Sequence, residues 1–207
     1  MRRTLEAICA AFGLVVLLPL FAIIALAIKL EDGGSVLYRH PRIGKDFRKF
    51  CVLKFRSMVI DADRTGTAIT GRRDPRVTTF GRFLRKYKLD ELPQLVNVLR
   101  GELQLVGPRP EVEQYVELFR SQYAVLLRDR PGITDPASLA YRNEEEQFCD
   151  GEVEQYYVSQ ILPQKLKLSL EYARHRTFRS DFILLIQTLV TMWRAQAVWH
   201  NAHRLPL

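Results

Sequence analysis

The chain has 207 residues, with 31 Lys and Arg against 23 Asp and Glu and a formal charge of +8. That length suits one domain with its own core behind an N-terminal segment, and the charge points to anionic partners: phosphate esters, acidic lipid surfaces or nucleic acid. Three scattered cysteines, Cys9, Cys51 and Cys149, exclude a disulfide framework and a zinc-ligand spacing, and they fit a reducing compartment.

Residues 7–28, "AICAAFGLVVLLPLFAIIALAI", are 22 positions without a charge. As a straight helix they would reach about 33 Å, enough to cross a hydrocarbon core. The apolar part of a secretory leader is shorter, roughly 7–15 residues. Arg2 and Arg3 precede the run, while Lys29, Arg39, Arg42, Lys45, Arg48 and Lys49 follow it. Positive flanks stay with the cytoplasm, so both sides ask for the same face. Pro19 removes a backbone hydrogen bond near the middle and crowds the preceding turn, which predicts a break there. Two arrangements satisfy these features: a helix that bends at Pro19 and returns to the face it entered, and an ordinary kinked span.

In "SVLYRHPRIGKDFRKFCVLKFRSM", residues 36–39 and 47–55 are rich in β-branched and aromatic side chains and are separated by a Pro and Gly turn region, which predicts a basic hairpin. In "DPRVTTFGRFLRKYKL", Phe80, Phe83, Leu84 and Tyr87 fall at i, i+3, i+4 and i+7, one apolar helix face, with Arg82, Arg85, Lys86 and Lys88 on the rest. "KLDELPQL" then sets Asp90 as a helix N-cap, Glu91 and Leu92 in the first turn, and Pro93 where no intrahelical donor is needed. Leu92, Leu95, Val96 and Leu99 would line one face until Gly101 ends the helix.

Capping alone accounts for two acids at a helix start. Helix-terminal N–H groups, Arg85 and Arg109 of "GPRP" would, however, also favour ionised carboxylates and hold a phosphate. An ionised aspartate so placed can attack phosphorus, and its neighbour can help hold Mg²⁺, which takes one or two carboxylates plus phosphate oxygens and water. The rest of the chain says less. "FILLIQTLVTMW", residues 182–193, is too short to span, so it reads either as a core helix or as an interfacial one with Trp193 and Trp199 at headgroup level. "RNEEEQF" reads as a solvated helix surface, and His200 and His203 as an exposed helix end rather than a metal pair. There is no internal repeat, P-loop or dinucleotide fingerprint.

From the apolar segment through about residue 145, the chain resembles the bacterial sugar transferases, the monotopic phosphoglycosyl transferases acting on polyprenyl phosphate. The likeness is carried by "KFRSM", "DPRVTTFGRFLRKYKLDELPQLVNVLRGELQLVGPRPE" and "RPGIT". The resemblance implies transfer of a sugar phosphate from a UDP-sugar to undecaprenyl phosphate with release of UMP, as the first membrane step of glycoconjugate assembly. It implies Asp90 as the nucleophile that carries the phosphosugar, Glu91 as its partner in Mg²⁺ and phosphate binding, with both acids near the metal, and Lys54, Arg56, Arg85, Pro108, Arg109 and Pro110 as substrate-binding residues. It favours the re-entrant helix, broken at Pro19, over the span.

The expected architecture is α+β and mainly helical: a re-entrant membrane hairpin over residues 1–34, then a catalytic domain over 35–207 with interfacial amphipathic helices and a small β-hairpin. That domain is expected on the cytoplasmic face of a bacterial inner membrane, in contact with the phospholipid bilayer and not with nucleic acid; homo-oligomerisation stays open. The chain looks like the minimal form, without the extra spans of longer relatives. It departs from the family after "PGIT", where Asp135-Pro136 and "ASLAYRNEEE" follow and only Arg142 and Asn143 keep the usual pattern, so sugar choice is not legible. The competing functions are a basic membrane-surface adaptor binding lipid or nucleic acid and a hydrolase of the same UDP-sugar.

Overall fold

The computed structural model describes residues 2–62, 69–71, 74–144, 148 and 153–193, except for the side chains of residues 192 and 193. Cys149, Trp199, His200, His203 and residues 145–147 of "RNEEEQF" lie outside the described residues, as does the side chain of Trp193.

The apolar run forms one helix, α1 (Arg2–Asp32), which continues through Pro19. The predicted break does not interrupt the helix at Pro19. Losing one backbone bond is tolerable because α1 is packed along its length. Ala10 meets Val98 and Leu103, while Ile24 and Ile28 meet Phe55 and Leu84. Gly13 lets Leu95 come close, since a Cβ there would lie 3.3 Å from Leu95 Cδ1. Charged groups hold both ends to the rest of the chain: Arg2 pairs with Asp181 and Arg130 reaches Glu6, while Asp32 pairs with Arg56. The opposite face, including Phe12, Val15, Ile23, Leu26 and Leu30, is exposed.

The hairpin is present as β1 (Leu37–Ile43) and β2 (Lys49–Phe55), antiparallel from Leu37↔Phe55 to Ile43↔Lys49. The first strand is longer than predicted because it runs through Pro41. Pro41 faces Cys51, whose carbonyl turns outward to accept from Asn97 Nδ2, so this pair exchanges no ladder bond and the missing N–H costs none.

Helix α2 (Thr79–Lys86) is capped by Thr78, whose hydroxyl accepts from the Gly81 N–H at 2.9 Å. Its predicted apolar face is divided: Leu84 is buried, whereas Phe83 is exposed and stacks on Phe80. Helix α3 (Gln94–Arg100) ends at Gly101, as predicted, with φ +77°. Its most buried face is not the one predicted. Gln94, Asn97 and Val98 are buried, Leu92 and Leu95 pack partly against the α1 side, and Leu99 is exposed. The polar pair goes inside because Asn97 replaces a neighbouring strand: Oδ1 accepts from Leu53 N at 2.9 Å, and Nδ2 donates to Cys51 O at 2.8 Å and Glu102 Oε2 at 2.7 Å.

A second, parallel pair was not legible in the sequence. Strands β3 (Gln104–Val106) and β4 (Gly132–Thr134) join the "GPRP" and "PGIT" segments across α4 (Glu113–Leu118) and α5 (Arg120–Leu126). Gly107 N donates to Thr134 O and Gly132 N to Pro108 O, both at 2.9 Å. A Cβ on Gly132 would fall 2.1 Å from Gly107 N, so only glycine permits this approach. The chain continues through α6 (Pro136–Ala140) and α7 (Val153–Tyr156), then a π-helical turn (Tyr157–Ile161) into α8 (Leu162–His175). Tyr115, Tyr123, Leu126, Ile161, Leu162 and Leu166 make the core of this half. Helix α9 (Phe178–Trp193) buries Leu184 and leaves Phe178, Phe182, Ile186 and Leu189 exposed, which is not the pattern of a core helix. The described architecture is thus mainly helical with two small β pairs, in line with the α+β expectation.

Candidate active site

Lys88 takes a left-handed conformation, φ 56°, which turns the chain out of α2 and into a 3₁₀ turn at Leu89–Glu91. Pro93, not Asp90, holds the position before α3, and no side chain caps that helix. The predicted N-cap role is corrected: the left-handed step swings the acid pair away from the α3 terminus. Asp90 is only 6% exposed, and its Oδ1 has no hydrogen-bond partner among the described residues.

Both carboxylate oxygens of Glu91 accept from cations. Lys54 Nζ donates to Oε1 at 3.1 Å, Arg109 Nη1 donates to Oε2 at 3.0 Å, and Arg109 Nη2 donates to Oε1. Lys54 comes from β2, and Arg109 from the loop that the β3–β4 pair fixes. Two-pronged guanidinium pairing sets the orientation of Glu91 as well as its charge.

The two acids are driven apart electrostatically. Burial works to raise Glu91, but Arg109 and Lys54 overcome it and hold the carboxylate well below its ordinary range. Burial pushes Asp90 upward, and the charge on Glu91 adds to that push against Lys54, Lys88 and Arg85. The position therefore does not favour ionised Asp90 in the way the helix-terminus argument expects. Burial also lowers Lys54, opposed by Glu91, while Glu91 makes Arg109 a firmer cation.

All of this opens on a cleft of about 1130 Å³, with Lys54, Arg56, Arg85, Lys88, Asp90, Glu91, Arg109 and Pro110 in its wall. The structure thus brings together the predicted acids and cations. Pro108 serves the site indirectly, through its carbonyl bond to Gly132. Pro19 lies in α1, outside this wall.

Sequence reasoning missed a second set of residues on the same cleft. Arg42 donates to Glu111 Oε1 at 2.7 Å, the Tyr157 hydroxyl donates to Glu111 Oε2 at 2.9 Å, and Lys165 donates to Glu144 at 2.8 Å. His40 lies beside Arg42, 3.3 Å from its Nη2, and burial with Arg42, Lys54 and Arg109 depresses its pKa to about 2. An arginine can only donate, so Nδ1 of this neutral imidazole is the acceptor and Nε2 carries the proton. The one available signal was Glu111 directly after "GPRP"; the others stand among charged residues that look like solvated surface.

The atypical Asp135-Pro136 has a structural role. Asp135 caps α6 by accepting from Ser138 N at 2.8 Å, and Pro136 fills the first helical position. Arg142 stands close enough to Glu91 for their charges to interact.

Comparison with known proteins adds an independent result. The model of the family described as bacterial sugar transferase matches residues 1–195. The exopolysaccharide production protein ExoY of Sinorhizobium fredii is 40% identical over 158 residues, 69% of this chain and 70% of that one. The undecaprenyl-phosphate glucose phosphotransferase of Komagataeibacter xylinus is 37% identical over 195 residues, 91% of this chain and 35% of the relative. The UDP-glucose:undecaprenyl-phosphate glucose-1-phosphate transferase of Escherichia coli is 35% identical over 195 residues, 91% of this chain and 39% of the relative.

Proposed function

The chain belongs to the bacterial sugar transferase family, and from that membership we propose that it transfers a sugar 1-phosphate from a UDP-sugar to undecaprenyl phosphate through a covalent intermediate on Asp90. The observation that carries the reading is the asymmetry of the acid pair. Glu91 is clamped by Arg109 and Lys54, whereas Asp90 keeps an unpartnered carboxylate oxygen in the same cleft. A clamped acid organises cations, and an unpartnered one is available to react.

In the first half-reaction a carboxylate oxygen of Asp90 attacks the sugar-bearing phosphorus. The bond from that phosphorus to the bridging oxygen breaks, and UMP leaves with the electron pair. In the second, a phosphate oxygen of undecaprenyl phosphate attacks the same phosphorus and displaces Asp90, leaving the sugar on a lipid diphosphate. Lys54, Arg85 and Arg109 hold the phosphates, and their fixed positions stabilise charge as it moves between oxygens.

The residues present fit Mg²⁺: the unpartnered Oδ1 of Asp90 and the adjacent Glu91 are hard oxygen donors. No group of three or more His, Cys, Asp or Glu side chains suited to a metal occurs among the described residues, so the ion would draw its other ligands from phosphate and water. Bound there, Mg²⁺ would supply neutralisation of the diphosphate.

The exposed apolar faces of α1 and α9 suit the bilayer. With its two ends tied to one body, α1 lies in a single leaflet, and the basic flanks put that leaflet on the cytoplasmic side. Family membership sets the non-catalytic adaptor aside.

The test is one turnover with a UDP-sugar and no lipid. UMP should appear in about stoichiometric amount, and mass spectrometry should find the phosphosugar on the peptide containing Asp90. Release of UDP, or an adduct on Glu91, would overturn the mechanism; a free sugar phosphate formed as fast as UMP would identify the hydrolase.

A further inference from the structure

Helix α1 ends in two acids, Glu31 and Asp32, where the helix dipole disfavours negative charge. Each is answered by a group next to the cleft. Glu31 Oε1 accepts from the Phe80 N–H in the first turn of α2 at 3.1 Å, and Asp32 accepts from Arg56 Nη2.

Arg56 directly follows β2 and lines the same cleft as Asp90, yet it is only 9% exposed. Its Nη1 is buried with no hydrogen-bond partner among the described residues. The guanidinium passes over Gly34, where a Cβ would lie 1.9 Å from Nη1, so the chain keeps this nitrogen's position clear of any side chain. A buried cationic donor left unpaired is costly, and an arginine with one prong filled and one empty matches a phosphate.

The place is as informative as the group. Asp32 holds Arg56 at the C-terminal end of α1, the helix whose outward face, through Leu26 and Leu30, is exposed and apolar. A ligand with its phosphate on Arg56 therefore sits at the end of the apolar helix, where a long apolar tail can pass beside α1 to its exposed face. A water-soluble nucleotide gains nothing from it.

Resting on the function proposed above, we infer that Arg56 is the seat of the lipid acceptor's phosphate, and that Asp32 holds the guanidinium until the acceptor displaces it. The two substrates then use different cations: the donor diphosphate is held by Lys54 and Arg109 beside Glu91, and the acceptor by Arg56 at the end of α1.

The two half-reactions separate these roles. Asp32→Asn removes the resident competitor, so the KM for undecaprenyl phosphate should fall three- to tenfold, with no matching fall in the KM for the UDP-sugar. Arg56→Lys keeps the charge but loses the second prong; it should slow transfer to the lipid at least tenfold more than it slows UMP release. In the unaltered chain, inorganic phosphate should compete with the lipid and not with the UDP-sugar. An unchanged or raised acceptor KM in Asp32→Asn overturns the displacement. Equal slowing of both half-reactions by Arg56→Lys, or competition of phosphate with the UDP-sugar alone, moves Arg56 to the donor. Absence of UMP release from the unaltered chain would instead refute the transferase mechanism itself.

Discussion

Asn97 is the side chain on which the position of Lys54 depends. It is fully buried and makes three hydrogen bonds, two of them to the outer edge of β2 at Leu53 N and Cys51 O. Asn97→Ala would leave the Leu53 N–H buried with no acceptor, at a cost of about 1–3 kcal/mol, and would return the Cys51 carbonyl to partial solvent, at about 0.5–1.5 kcal/mol. The expected loss is about 1.5–4.5 kcal/mol, a large part of the roughly 5–15 kcal/mol of a typical domain. Asn97→Asp keeps the acceptor for Leu53 but sets a carboxylate against Cys51 O and Glu102, and should be at least as damaging. Urea unfolding in detergent micelles, followed by far-UV circular dichroism, reads the change. Because Lys54 is the next residue and reaches Glu91, kcat/KM should fall even at temperatures where the variant stays folded. A loss below about 1 kcal/mol, with normal kcat/KM, would refute the strand-edge account.

Acid should weaken the chain through His40. Its folded pKa, about 2, lies below the ordinary 6.5, so between these values the unfolded chain binds a proton that the folded one refuses. This stability is complete above pH 6.5 and is lost as pH falls, so His40→Gln should lose less than the parent between pH 6.5 and 4.5, by about 1–3 kcal/mol; parallel pH curves would contradict this. Excess chelator should stop UMP release and added Mg²⁺ should restore it, whereas full activity in chelator would remove the metal from the account. Single cysteines introduced by Arg2→Cys and Ser35→Cys, with the native cysteines replaced, should both react with an impermeant reagent from the cytoplasmic side; labelling from opposite sides would make α1 a span.

The features legible in the sequence were local ones. The hairpin shows in its β-branched and aromatic runs, α2 in a seven-residue period, and the end of α3 in Gly101. The pair β3 and β4 was hidden because each strand has three residues and its partner stands 28 positions away, from Gln104 to Gly132. The error at Asp90 came from one backbone angle. A lysine at φ 56° is rare enough that no pattern announces it, and it is what turns an apparent N-cap into a buried carboxylate. Lys165 and Tyr157 were invisible for another reason: the π-helical turn and the long-range pairs that bring them to the cleft leave no periodic trace. Pro19 reads as a break when the helix is considered alone, without the contacts to α2 and α3 and the ion pair that the surrounding chain adds.

The β3–β4 pair also sets an order of events during synthesis. The exposed apolar face of α1 leaves the ribosome before the segments that brace the Arg109 loop: Gly107 N donates to Thr134 O, Gly132 N donates to Pro108 O, and the Val106 carbonyl accepts from Arg176. Until those segments arrive, Glu91 lacks the brace that holds its main cation in place. The nascent chain therefore exposes its apolar helix before its acid pair is organised, so under the function proposed above anchoring would precede competence.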